Sequence, residues 1–490
     1  MNISFDKAKN GDITAICNNI TLHSSYNPTR EAERFVDNLS ISYTPPLIIL
    51  IEPCISYIVP LLKIKYPNTK IAIIRYTPSF NNYNSSSDYI LNYYDHSLDF
   101  SNYLYNTFGE ELLLTAYFIQ WEPSSKAFPK ITQLIIQSIK ETLEKSKTLL
   151  VTREYFEKKW FLNSVNFINY SNHLIKLNDK IDLPILIISS GPSLNNNLYT
   201  IKKYNKKFFI ICLSSAIGVL LEHEIIPDLC FTTDGGFWAG QHLKRLFGYN
   251  IPIAIPLEGY IQKYLLINKQ ILPLGYDDGL SSEICSLINY PTTHAERNGT
   301  VSGTALKFAL ENSTNDIYYS GLDMSNQKGF QHSQPNENEL NNSLNDNKIN
   351  SKEKRISRSE YSSGVMDIYK KWFDSLDLRK RNVFRVIDHE YKHNTLGQIK
   401  DISCSDFYYK VTVLPEIKEK DYYTPINFPK DKSLLLKIIA NHINTPSWME
   451  KLYPLSYTAL THNENNTDIL NRLVKENTKL LQKIGNLLDE

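Results

Sequence analysis

At 490 residues with a hydrophobic share of 42%, the chain is long enough for two or three cores and has the composition of folded protein. Charged residues at 21% and a net charge of +1 leave no basic excess, which argues against a protein that coats nucleic-acid backbone. The six cysteines stand far apart with no CxxC pair, so a reducing compartment is expected and neither a disulfide framework nor a zinc site is.

In chain order, the start MNISFDKAKNGDITAICNN has no apolar core behind a basic segment, so no signal peptide is expected. In LHSSYNPTREAERF, Ser25 or Asn27 is placed to begin a helix. The runs LIILIE and KIAIIRY flank a helix-like IVPLLKIKYP, the pattern of a βαβ unit. The segment PPLIILIEPCISYIVPLL is interrupted by Glu52, Pro53 and Pro60, whereas a membrane helix needs about 20 apolar residues. A soluble, cytoplasmic protein with no membrane partner is the expectation.

From 130 to 172 the pattern turns helical, as one long helix or two. A second α/β region begins with PILIISS, followed by strands in KFFIICLSSA, DLCFTTD, IPIAIPLE and DIYYSGLD with helical stretches between them. This alternation implies a parallel sheet covered by helices on both faces. Residues 326–359 are polar and are expected to form a flexible loop or lid. An amphipathic helix in YSSGVMDIYKKWFDSL and a strand in NVFRVID come next. The closing part reads as helical. There Leu473, Leu480, Ile484 and Leu487 recur at near-heptad spacing around Asn477, which fits packing within the chain or a short homo-oligomer seam. The expected domains are 1–125 (α/β), 126–175 (helical connector), 176–405 (Rossmann-like, with 326–359 as insertion) and 406–490 (helical).

Chemistry is expected at strand ends. In SSGPSL, glycine follows a buried strand and precedes a helix, so Gly191, Pro192, Ser193 and Leu194 form either a capped turn or an anion site on free N–H groups. No Walker loop or GxGxxG is present. Asp228, after a proline, reads as a turn residue, while Asp234 with Gly235 sits where ligands collect in open α/β sheets. The stretch RNGTVSGTALKFA offers a second helix start, in which Thr300, Ser302 and Thr304 are caps or phosphate donors. In SGLDMSNQKGFQH, Asp323 follows a strand, and His332 is either solvated or an acid–base group. The echo HEYKH at His389 and His393 lacks HExxH spacing, and there is no GxSxG elbow.

Taken in order, LHSSYNPTREAERF, FEKKWFLNSVNF, GPSLNNNL, CLSSAIGVLLEHEIIPDLCFTTD, GTVSGTALKFA, GLDMSNQKGFQH, YKKWFDSL and VFRVIDHEYKHNTLGQIKDI resemble the motility-associated factor (Maf) family of flagellin glycosyltransferases. That family's central domain is similar to 6-hydroxymethylpterin diphosphokinase MptE-like proteins in sequence and to bacterial sialyltransferases in fold. The resemblance implies a central Rossmann-like, GT-A-type sheet between a smaller N-terminal α/β domain and a C-terminal helical region. It further implies transfer of a nonulosonic acid, pseudaminic or legionaminic in type, from a CMP-activated donor to Ser or Thr of flagellin. No tightly bound cofactor and no metal ligand set are implied, and dependence on a divalent metal stays open. Gly191, Pro192, Ser193 and Leu194 would then cradle the donor phosphate, Ser214, Asp234 and Gly235 would meet ribose and base, and Asn298, Gly299, Thr300, Ser302 and Gly303 would close over the leaving group. His332 would be the general base for the acceptor hydroxyl or the acid for the departing phosphate, and Asp323 is the other catalytic candidate. Two alternatives are a pterin-alcohol diphosphokinase and a non-catalytic flagellin-binding factor on the same fold.

Overall fold

Uninterrupted runs of Ile, Leu and Val can be buried on both faces only inside a covered parallel sheet, and that is where this chain places them. The structure is a computed structural model that describes all residues except 1–2, 85–86, 325–329, 355–363, 389–394, 416–420, 462–466 and 490. It divides into two units, residues 1–157 with 442–480 and residues 158–441 with 481–490.

In the first unit, β1 (Ile3–Lys7), β2 (Ile13–Cys17) and β3 (Ile20–Thr21) form an antiparallel sheet. A parallel sheet holds β4 (Leu47–Ile51), β5 (Lys70–Arg75), β6 (Tyr89–Asn92) and β7 (Tyr117–Gln120) in the order β6-β5-β4-β7. The helix Ile58–Lys65 joins β4 to β5, the βαβ unit read from the sequence. Asn27 caps the helix Pro28–Asp37 by accepting from the Arg30 amide at 2.8 Å. Where β4 ends, Arg75 and Glu52 form a fully buried ion pair at 2.7 Å, and Arg75 also reaches the Cys54 carbonyl and the Ser56 hydroxyl. These bonds hold Glu52, Cys54 and Ser56 at positive φ, which non-glycine residues adopt at a cost.

The second unit carries the large sheet: β8 (His173–Leu177), β9 (Ile185–Ile188), β10 (Phe209–Leu213), β11 (Leu229–Phe231), β12 (Ile253–Pro256), β13 (Gln270–Gly275), β14 (Thr293–His294), β15 (Ile317–Ser320), β16 (Val383–Ile387), β17 (Lys400–Ser403) and β18 (Tyr423–Ile426). Its order is β17-β16-β15-β9-β10-β11-β12-β13-β8-β18, with β14 beside β13. The described pairs are parallel apart from β18 on β8. Strand β9 is central: the chain runs from it through β10 to β13 on one side and later fills the other side with β15, β16 and β17.

One expectation is corrected here. Residues 326–359 are not uniformly a flexible insertion, because a helix spans Glu337–Asn345 and Asn336, fully buried, caps it by accepting from the amides of Asn338 and Glu339. Residues 325–329 and 355–363 lie outside the described residues. Residues 406–490 are mainly helical, as expected; they also carry the edge strand β18 and are divided between the two units. Leu473, Leu480 and Ile484 are buried inside the chain, and Asn477 is buried with the Tyr453 hydroxyl at 2.8 Å and the Ile443 carbonyl at 2.8 Å. Among the described residues no helix is long and apolar enough to cross a membrane.

Candidate functional site

In a sheet wound outward from β9, the switch point lies between β9 and β15, and the ligand crevice of such sheets is expected at the carboxyl ends there. Gly191, just past β9, donates its amide to the Gly321 carbonyl at 2.9 Å. A Cβ at Gly191 would collide with that oxygen and with the Asp323 carboxylate, so only glycine allows the approach. Pro192 then starts a short 3-10 turn, Pro192–Asn197. Asp323 takes the Ser193 amide at 3.0 Å and the Ser193 hydroxyl in a very short hydrogen bond. Leu194 donates to the Gly191 carbonyl at 3.0 Å. The loop's N–H groups therefore have partners inside the protein. Asp323 holds the loop with both carboxylate oxygens.

The segment after the fold's last central strand ties back over the same crevice. Ser333 donates its amide to the Ser190 carbonyl at 2.7 Å and its hydroxyl to the Gly191 carbonyl at 2.7 Å. Asn336 donates to the Ser215 carbonyl at 2.9 Å, and Ser215 in turn reaches the Ser190 hydroxyl at 3.0 Å. These bonds fix His332 next to the ends of β9 and β10. The His332 Nδ1 lies 3.4 Å from the Glu339 carboxylate, within ion-pair reach though not aligned as a hydrogen bond. Glu339 is buried, and it also accepts from the Gln331 amide at 3.1 Å. Its pairing with His332 is invisible in sequence, because it depends on the unanticipated helix Glu337–Asn345. That helix is anchored by Glu337 on His242 at 2.8 Å and on Arg245 at 2.6 Å. Burial would raise the Glu337 pKa, but His242 and Arg245 together hold its carboxyl below the usual range.

The second helix start joins from the far side of β9. Thr300 caps the helix Val301–Asn312 by accepting from the Gly303 amide at 2.9 Å. Asn298 braces the cap by accepting from the Thr300 amide at 2.9 Å and its hydroxyl at 3.1 Å, and a Cβ on Gly303 would collide with the Asn298 side chain. The Gly299 backbone runs between these two residues. The Ser302 hydroxyl lies 3.3 Å from that of Ser189 at the end of β9. The amides of Val301 and Ser302 open the helix and have no partner within it, which leaves an anion-attracting end beside the crevice.

The remaining residues stand at neighbouring strand ends. Ser214 is buried and bonds the Thr232 hydroxyl at 3.3 Å. Asp234, exposed after β11, accepts from the Gly236 amide at 2.7 Å, and Gly235 packs so closely on Trp160 that a Cβ would come within 2.5 Å of the ring. Asp228 lies at the other end of β11 and accepts from the Ile210 amide at 2.7 Å, so it is a half-buried structural group, its pKa pushed up to about 6 by desolvation. Sequence reasoning missed the cluster around Glu258, a buried carboxylate that takes Arg297 in two bonds at 2.9 and 3.0 Å and Ser281 at 2.6 Å. Burial works against the Arg297 charge, yet Glu258 and Asp278 outweigh it and raise its pKa. His23, from the early histidine motif, is buried in the first unit and accepts from the Ile55 amide at 3.1 Å. His389 and His393 lie outside the described residues. Among the described residues, no group of three or more His, Cys, Asp or Glu is arranged to hold a metal ion.

An α/β protein with its crevice at the switch point of a mostly parallel sheet is the class that fold and site define. Residues 158–329 match the family model described as 6-hydroxymethylpterin diphosphokinase MptE-like, so the central domain implied by the sequence resemblance is present. The chain is 27% identical over 311 residues to an uncharacterized protein of Treponema pallidum (strain Nichols), covering 62% of this chain and 67% of that protein. The solved structure of the Maf glycosyltransferase from Magnetospirillum magneticum AMB-1 aligns over 99% of this chain and 90% of its own, at 11% identity and a TM-score of 0.48.

Proposed function

We propose that this protein is a cytoplasmic glycosyltransferase that moves a nonulosonic acid from a CMP-activated donor to Ser or Thr hydroxyls of flagellin. The observation that carries the reading is the convergence of Ser189, Ser302, the Ser193–Asp323 pair and His332 on the carboxyl end of β9. A single phosphodiester needs one anion-attracting end, and the start of the helix Val301–Asn312, braced by Asn298 and Thr300, supplies it. The loop of Gly191, Pro192, Ser193 and Leu194 then shapes the crevice floor, with Asp323 fixing it. Ser214, Asp234 and Gly235 face the nucleoside end. His332, with Glu339 beside its ring, takes the acceptor hydroxyl's proton as the glycosidic bond forms and CMP departs.

A second reading, diphosphoryl transfer to a pterin alcohol, is favoured by the match of residues 158–329 to the MptE-like family model. One experiment separates the two. Purified protein is incubated with flagellin and a CMP-nonulosonic acid, or with ATP and a hydroxymethylpterin. Flagellin-dependent release of CMP supports the transferase. Conversion of ATP to AMP with a pterin diphosphate, and no CMP release, supports the kinase.

A further inference from the structure

A cavity of about 490 Å³ lies between the helix Gly279–Ile288 and the carboxyl ends of β12 and β13. That size falls within the ~300–1,000 Å³ of small-molecule sites. Nothing in the sequence reading touched it. Two largely buried tyrosines, Tyr276 and Tyr290, are among its lining residues. Both are fixed: the Tyr290 hydroxyl meets Ser171 at 2.7 Å, and the Arg297 guanidinium lies 4.3 Å from the centre of the Tyr276 ring. Ser282, Ser286 and Thr292 bring hydroxyls to the lining, beside the apolar Leu257 and Leu274. The charge on this lining is paired, with His294 3.2 Å from Asp277.

We propose that this cavity seats a sugar ring. A sugar presents one apolar C–H face and a girdle of hydroxyls, which suits rigid aromatic walls interleaved with Ser and Thr. The wall residue His294 is followed four positions on by Asn298, the brace of the helix start assigned above to the donor phosphate. The ring could thus belong to the donor itself, in which case the inference rests on the transferase reading, or to a free sugar. Its chemistry is the same in both cases.

Saturation-transfer NMR on the full-length protein tests this with three probes: N-acetylneuraminic acid, CMP and CMP–N-acetylneuraminic acid. The variant is Ser286→Trp, at an exposed position on the rim where an indole would fill the space. Its thermal unfolding is checked against wild type, and Ser282→Phe is used if it does not fold. Transfer from wild type to sugar-ring protons is expected, lost in the variant, with CMP unaffected. Signal on the free sugar marks an independent sugar site, and signal only on the CMP-linked sugar marks the donor. The proposal is overturned if neither sugar receives transfer, if transfer survives the substitution, or if CMP alone loses its signal. Since the readout is binding, its failure is distinct from a failure of flagellin modification.

Discussion

Asp323 binds the Ser193 amide at 3.0 Å and the Ser193 hydroxyl by a second bond, joining two strand ends 130 residues apart. Both residues are buried, so each leaves an unsatisfied group if the other is removed. Asp323→Ala and Ser193→Ala are each expected to destabilise the chain by about 1–3 kcal/mol. The double variant should cost less than the sum, because the two act on one interaction. Urea unfolding of the four proteins checks this, and strict additivity would show that the pair is not coupled.

Close approach at Gly191 predicts a different failure. Gly191→Ala would push Gly321 and Asp323 away from the loop, at about 1–3 kcal/mol. Gly485 lies in the helix Thr467–Asp489 with open space around it, so Gly485→Ala should stabilise by ~0.5–1 kcal/mol. Opposite signs in thermal unfolding are the expected result.

The Arg75–Glu52 pair predicts that removing one partner is worse than removing both charges. Arg75→Met leaves a fully buried carboxylate without its cation, a loss of about 3–5 kcal/mol. Adding Glu52→Gln should recover part of it. A double variant less stable than Arg75→Met would contradict the argument.

Asp228 gives a pH signature. Its folded pKa of about 6 lies above the ordinary 3.8, so the protonated form is favoured by folding. This contribution is fully present below pH 3.8 and is lost as pH rises through about 6. Wild type should therefore lose stability relative to Asp228→Asn across that window. Parallel stability–pH curves for the two proteins would refute it.

The strands were legible where apolar residues run unbroken, as in LPILIISS and FFIICL, because nothing but a covered sheet can bury both faces. The helix Glu337–Asn345 was not, since its residues are polar and it is held by the Asn336 cap and the Glu337 pair rather than by an apolar stripe. At the site, the glycines and small hydroxyl residues announced loops at strand ends, but not who bonds whom. That Asp323 closes the SSGPSL turn, and that Thr300 is the cap while Ser302 faces Ser189, are products of tertiary approach. Glu258 and Arg297 escaped notice for the same reason: they stand 39 positions apart and meet only once β12 and β14 are both in the sheet.

The central claim is transfer to flagellin with His332 as the proton acceptor, and the intact mass of flagellin tests it most directly. Flagellin is taken from cells carrying the gene, lacking it, or complemented with His332→Ala. General-base loss typically lowers rates by ~10²–10⁴. The expected result is a mass lower by whole glycosyl units in the deletion, restored by wild type and not by His332→Ala. Unchanged flagellin mass on deletion would contradict the transferase account, and full restoration by His332→Ala would contradict the role given to His332.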